Sequence, residues 1–137
     1  MRVFLDTSSL FKKYNAEEGS DKLFKVLEKA TAVSISHITF LEIINTLNRY
    51  FRQFHIDKKE QDALANDIIG DFQHFEKIRW DDNLENICVN LSKAYDLKSL
   101  DVIQIASAKA SHSQLFVTSD KKQHRVAKKE LRKSLLI

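Results

Sequence analysis

The chain has 137 residues, 43% hydrophobic and 30% charged, which suits one globular domain large enough to bury its own core. No apolar run approaches the roughly 18 residues of a membrane span, Asp6 comes too early for a secretory signal, and a single cysteine, Cys88, excludes an internal disulfide or a multi-cysteine zinc site; a cytoplasmic protein with no membrane partner is expected. The net charge of +3 is uneven, because residues 121–133 hold seven Lys/Arg and one Glu while residues 1–120 hold 15 Lys/Arg and 18 Asp/Glu, so a polyanionic partner and a use for carboxylates are both implied.

Val3-Phe4-Leu5 reads as a first buried strand, being short, apolar and followed by polar residues. A helix opens near Ser8, and Leu23, Val26 and Leu27 mark the stripe of another. Ala32-Val33-Ser34-Ile35 is the second strand. Residues 37–76 have room for two helices, with stripes at Leu41, Ile44, Leu47, Phe51 and at Leu64, Ile68, Phe72, Phe75. Tyr50, Phe51 and Phe54 form an aromatic cluster that reads as core packing against Phe72 and Phe75, or else as a partner groove. Lys77-Ile78-Arg79-Trp80 is a weaker third strand. Residues 81–113 again hold two helices, one striped by Leu84, Ile87, Cys88, Leu91 and Tyr95, the other by Ile103, Ala106 and Ala110. Asp57-x-x-Glu60 and Asp82-x-x-Glu85 have the pattern of capping boxes. Leu115-Phe116-Val117-Thr118 is the fourth strand, and Leu135-Leu136-Ile137 a candidate fifth at the edge. With no Pro and two Gly there are few sharp turns, which disfavours an all-β fold. Strands alternating with helices make an α/β fold with a mainly parallel sheet in one domain, residues 1–137.

Four acids lie where such a sheet binds ligands, outside the carboxyl ends of its strands. Asp6 ends the first strand, Glu42 starts the helix after the second, Asp101 sits in the first turn of the helix opened by Ser99, and Asp120 follows the fourth strand. Each acid alone has an ordinary structural use. Asp6 and Asp120 can cap helices, the latter with Gln123 completing a box; Asp101 can complement a helix dipole; Glu42 can face solvent. Glu42 is flanked by Phe40-Leu41 and Ile43-Ile44, however, and a carboxylate among apolar neighbours needs a partner. Four carboxylates in one crevice need protons or a cation, since two unit charges ~4 Å apart cost about 4 kcal/mol at an effective dielectric near 20. An all-oxygen set suits Mg²⁺ or Mn²⁺, and such ions are the usual means of cleaving phosphodiesters. The five histidines show no ligand spacing.

The segments Phe4-Leu5-Asp6-Thr7-Ser8, Ser36 to Glu42, Ser99 to Ala108 and Phe116-Val117-Thr118-Ser119-Asp120 resemble, in order and spacing, the blocks of PIN-domain nucleases, most closely the VapC-type toxins of toxin–antitoxin pairs. The resemblance implies a PIN-like three-layer fold: a four- or five-stranded parallel sheet of order 3-2-1-4-5 flanked by helices. It implies a metal-dependent endoribonuclease with Asp6, Glu42, Asp101 and Asp120 as catalytic, metal-holding acids, leaving 5′-phosphate and 3′-hydroxyl ends. Ser8, Thr118 and Ser119 match small hydroxyl residues in supporting roles. A cognate antitoxin and a homodimer are the implied partners. The alternative is a catalytically inactive PIN-like module that binds RNA or protein. An aspartyl-phosphate enzyme fits less well, because Ser8 stands where a second Asp is needed, and a receiver domain has single-helix crossovers. Gln104 stands where the family frequently has His and receives no acid–base role. The run Lys128-Lys129-Glu130-Leu131-Arg132-Lys133 continues where the family often has Gly, so the final helix is free to extend in place of the last strand. Lys121, Arg125, Lys128, Lys129 and Arg132 share one helical face that suits RNA phosphates.

Overall fold

A computed structural model describes residues 1–137. In chain order it contains β1 (Arg2–Leu5), α1 (Thr7–Tyr14), α2 (Ser20–Lys29), β2 (Ala32–Ser36), α3 (Thr39–Gln53), α4 (Lys58–Phe72), β3 (Glu76–Ile78), α5 (Asp82–Ala94), α6 (Ser99–Ala110), β4 (Leu115–Thr118), α7 (Lys121–Glu130) and β5 (Ser134–Leu136). All strand pairings are parallel, and the sheet order is β3-β2-β1-β4-β5. The order reverses between β1 and β4, where Val3, Phe4 and Leu5 pair with Leu115, Phe116 and Val117.

Side-chain alternation along these two central strands divides the core in two. Val3, Leu5, Leu115 and Val117 face one way and pack with Leu10, Leu23, Ile35, Ile43, Leu47, Ile68 and Phe72. Phe4 and Phe116 face the other way, their rings stacked at 5.9 Å between centroids. They meet Leu84, Cys88, Leu91, Val102, Ile105, Ala106 and Val126. Helices α1 to α4 thus cover one face and α5 to α7 the other, giving three layers. Both faces of the sheet are covered, which is why β4 is an unbroken buried run, with no polar alternation.

Several boundaries differ from the sequence reading. Leu41 is 71% exposed, and the face α3 buries is Thr39, Ile43 and Leu47. Strand β3 starts earlier, at Glu76, and Trp80 is left exposed. The cap of α5 is Asp81, whose carboxylate accepts the Leu84 N–H at 2.7 Å, so Asp82 is the first helical residue. Asp57 caps α4 as expected. Of the aromatic cluster, Phe51 packs against the core that holds Phe72 and Phe75, whereas the rings of Tyr50 and Phe54 meet at a tilt, 4.7 Å between centroids, and stay exposed. The last strand forms. Helix α7 stops because Leu131 turns extended and packs on the second core, after which Ser134–Leu136 pair with Phe116–Thr118. Arg132 consequently lies past the helix and does not share a helical face with Lys121, Arg125, Lys128 and Lys129.

Candidate active site

Asp6 is the first residue beyond β1 and is fully buried. Its extended backbone makes it the N-cap of α1, with the Ser9 N–H donating to Oδ1 at 2.8 Å. The Ser8 hydroxyl donates to Oδ1 and Oδ2 at 2.9 and 2.8 Å, and the Thr118 hydroxyl donates to Oδ2 at 2.6 Å. Capping and a site role therefore coexist in one carboxylate. Burial pushes the Asp6 carboxyl up to about 6, against the lowering effect of Thr118, Ser9 and Ser8.

Thr118 ends β4 and links two acids. While its hydroxyl donates to Asp6, its oxygen accepts the Asp120 N–H at 3.0 Å. Asp120 caps α7 by accepting the Gln123 N–H at 2.8 Å. The Gln123 side chain does not close a capping box. It is buried, and its amide donates to Asp101 Oδ1 at 3.0 Å. Asp101, in the first turn of α6, has its carboxyl raised above the ordinary range, chiefly by burial and then by the charge of Asp120. Gln123, Lys98 and Lys122 pull it the other way. Ser119 closes the corner: its N–H donates to the Ser8 hydroxyl oxygen at 3.0 Å.

Glu42, in the first turn of α3, is half-buried and has the partners its apolar setting demands. The Thr7 hydroxyl donates to Oε1 at 2.6 Å, and the Gln104 amide donates to the same oxygen at 2.9 Å. Gln104 also donates to the hydroxyl oxygens of Thr7 and Thr39, at 2.9 and 3.2 Å. Its carbonyl oxygen, like that of Gln123, is buried without a partner. Asp6, Asp101 and Asp120 are thus joined through Thr118 and Gln123, and Glu42 enters through Thr7, the neighbour of Asp6.

Thr7, Thr39, Gln104 and Gln123 are the residues missed as site members in the sequence. The one local signal is spacing: Gln104 lies three residues after Asp101 and Gln123 three after Asp120, each on the same helical face as its acid. The contact that matters is long-range in both cases. The His37 ring nitrogen Nδ1 is also buried without a partner, so not every histidine is satisfied.

The donor set consists of carboxylates, hydroxyls and amide oxygens, which is the chemistry of a hard divalent cation such as Mg²⁺ or Mn²⁺. Burial raises the carboxyls of Asp6 and Asp101, and the charge of Asp120 raises Asp101 further, so a nearby cation would favour their ionised forms. No three of the chain's His, Cys, Asp and Glu side chains stand as a group close enough to share an ion. The preformed element is one mutually repelling pair, Asp101 and Asp120, with Asp6 tied to it by Thr118.

Comparison with known proteins follows the same lines. No helix is long and apolar enough to cross a membrane. Comparison with curated protein sequences gives no significant match. Among solved structures, the chain is similar to VapBC2 from Rickettsia felis bound to a DNA fragment from their promoter, at 19% identity and TM-score 0.68, covering 98% of this chain and 99% of that one. It is similar to VapC20 of Mycobacterium tuberculosis, described as a sarcin–ricin loop cleaving toxin, at 15% identity and TM-score 0.67, covering 95% and 97%. It also resembles a toxin–antitoxin complex from Klebsiella pneumoniae, at 21% identity and TM-score 0.61, covering 88% of each chain. At these identities the likeness is one of fold. The model of the PIN domain matches residues 3–129, nearly the whole chain, and with the sheet order and the acids at its switch point it shows that this chain belongs to the PIN domain family.

Proposed function

We propose that this chain is a divalent-metal-dependent endoribonuclease and the toxin of a type II toxin–antitoxin pair. The observation that carries the reading is the linked set Asp6–Thr118–Asp120–Gln123–Asp101 at the point where strand order reverses. In this reading Asp6 and Asp120 are the central ligands of a Mg²⁺ or Mn²⁺ ion, with Asp101 and Glu42 completing the site. The ion, when bound, supplies positive charge against the scissile phosphate and makes a water more acidic.

The chain's own residues do the rest. Thr118 and Ser8 hold the Asp6 carboxylate in one rotamer, and Thr118 sets its distance from the backbone of Asp120. Gln123 engages Asp101 Oδ1, leaving Oδ2 for another partner. Thr7 and Gln104 both engage Glu42 Oε1, leaving Oε2. Asp6, Asp101 and Glu42 are thus each held by hydrogen bonds before substrate arrives, which limits the rearrangement left to the arriving ion. The reaction is hydrolysis. A water oxygen bonds to phosphorus, the bond to the 3′ oxygen breaks, and that oxygen takes a proton, leaving 3′-hydroxyl and 5′-phosphate ends. No side chain forms a covalent intermediate.

The neighbours support the biological setting: one is described as a sarcin–ricin loop cleaving toxin and one as a toxin–antitoxin complex. A groove of about 360 Å³ lined by Phe11, Tyr14, Leu47, Tyr50, Phe51 and Leu64 suits an apolar segment of an antitoxin. A cytoplasmic location and a homodimer are what we expect of such a toxin. One observation favours the second reading, a non-catalytic RNA- or protein-binding module: no three acids form a ready cage.

Asp120→Asn separates the two. Asn retains the helix cap, so the variant should fold. Removing one ligand should cost several kcal/mol of transition-state stabilisation, and each ~1.4 kcal/mol is tenfold in rate. Cleavage of single-stranded RNA should become undetectable, and growth arrest on expression should be relieved. Equal activity in the variant and the parent would remove Asp120 from the chemistry.

A further inference from the structure

A second concave feature opens beside the acids. Lys12, Glu18, Lys22, Ser119, Lys121, Leu136 and Ile137 line a cleft of about 390 Å³, within the roughly 300–1,000 Å³ of ligand sites. It adjoins the acid network directly. Ser119 lines it and donates its N–H to Ser8, whose hydroxyl donates to both oxygens of Asp6.

The walls of this cleft are set by backbone. Gly19 has φ +94°, and a Cβ there would stand 3.0 Å from the Ile137 carbonyl carbon and 3.1 Å from Lys12 Cδ. The α1–α2 turn is thus clamped against the end of β5, in a conformation and at a distance that favour glycine. Lys12 is part of the same wall, its ammonium held by Glu17 and by the Glu18 carbonyl oxygen. Lys22 and Lys121 are exposed and make no ion pair. They are the cations free to meet a ligand.

The lining has no aromatic side chain, so nothing there stacks on a base. The two free ammonium groups outweigh the one lining carboxylate, Glu18, so the cleft keeps a positive charge that suits a phosphodiester. The basic residues further along α7 are less well placed. At 1.5 Å per residue Lys128 stands about 10 Å along the helix from Lys121, and Arg132 lies beyond its end. Lys98 and Lys122 stand near enough to Asp101 to favour its ionised form.

We propose that the cleft formed by Lys22, Lys121 and Ser119 is a subsite for the RNA backbone phosphate next to the one that is cut, reading charge and spacing without reading sequence. The proposal rests on the nuclease reading above. It places that phosphate beside Ser119, whose N–H reaches the Asp6 network through Ser8.

The test is fluorescence anisotropy with a short labelled oligouridylate, in an Asp120→Asn background so that binding is measured without cleavage. Lys22→Gln combined with Lys121→Gln should weaken binding about tenfold and flatten the slope of log K against log salt by roughly 0.7, the value for one lost phosphate contact to a single strand. Lys25→Gln combined with Lys29→Gln, elsewhere on α2, should change neither by as much as half. Inorganic phosphate, added in competition at constant ionic strength, should displace the RNA poorly. Equal effects of the two double variants would overturn the subsite. Full displacement by inorganic phosphate, with phosphate affinity lost in the Lys22/Lys121 variant, would reassign the cleft to a free anion. If the parent chain cleaves RNA while the variant binds it unchanged, the subsite fails and the nuclease reading stands. If the parent neither binds nor cleaves RNA, both fail.

Discussion

At Asp6, burial opposes a set of hydrogen bonds to the ionised form, and burial wins, placing the carboxyl at about 6. An unfolded Asp ionises near 3.9. The folded state therefore favours the protonated acid. That stabilisation is fully present below pH ~4 and is lost as pH rises through ~6. At about 1.4 kcal/mol per pH unit, ionising Asp6 within the fold costs on the order of 3 kcal/mol. Burial acts on Asp101 in the same direction. Glu130 acts in the opposite one, since the Tyr95 hydroxyl and Lys109 favour its ionised form. The informative quantity is thus a difference. In EDTA, the urea unfolding free energy of the parent should fall relative to that of Asp6→Asn between pH 4 and 6.5. Parallel pH curves for the two proteins would contradict the assignment.

Gln104 belongs to the same scale. Gln104→Leu removes the amide donor from Glu42 together with a buried carbonyl oxygen that has no partner. Losing the donor destabilises and losing the orphan oxygen stabilises, so net stability should move by less than about 1.5 kcal/mol. If the amide aims Glu42 for chemistry, kcat should fall at least tenfold with KM for RNA nearly unchanged, and Gln104→His should restore part of it by returning an N–H. A loss of kcat matched by a fall in melting temperature, with no recovery in the His variant, would mark a purely structural role.

The helices and strands were legible in the sequence to the extent that their signals are local. Two helices in each long crossover follow from stripes at helical spacing, and the three strong strands, β1, β2 and β4, from short apolar runs. Phase and ends were less legible. Leu41 fits the α3 stripe by count yet points outward, because the face is set by how α3 meets α1 and the sheet. The end of α7 carries no glycine; Leu131 ends it by packing on a core assembled from distant segments. The α5 cap shows a near tie between neighbours. Asp81 and Asp82 both suit the position, and Asp81 takes it. Asp81→Ala should cost about 1 kcal/mol in chemical denaturation, as a lost cap does. Asp82→Ala should cost only about 0.3–1 kcal/mol, the value of a first-turn acid beside the dipole. A larger loss at Asp82 would move the cap.

Over the whole molecule, one topological fact organises the rest. The sheet reverses order between β1 and β4, and Asp6, one residue past β1, and Asp120, two residues past β4, each cap a helix N-terminus at that junction. The acids could be located from sequence because each follows a strand or opens a helix. What joins them could not. The Gln123–Asp101 bond spans 22 residues and the Gln104–Glu42 bond 62, and neither has a sequence period to betray it. The same network is the reason to expect metal-dependent hydrolysis, since Lys98 and Lys122 do not offset the burial and the Asp120 charge that raise Asp101. The most direct measurement is end-group analysis of single-stranded RNA incubated with the purified chain, with Mn²⁺ or with EDTA. The account predicts cleavage with Mn²⁺ only, yielding 5′-phosphate and 3′-hydroxyl termini. Cleavage that survives EDTA, or products ending in a 2′,3′-cyclic phosphate, would contradict it.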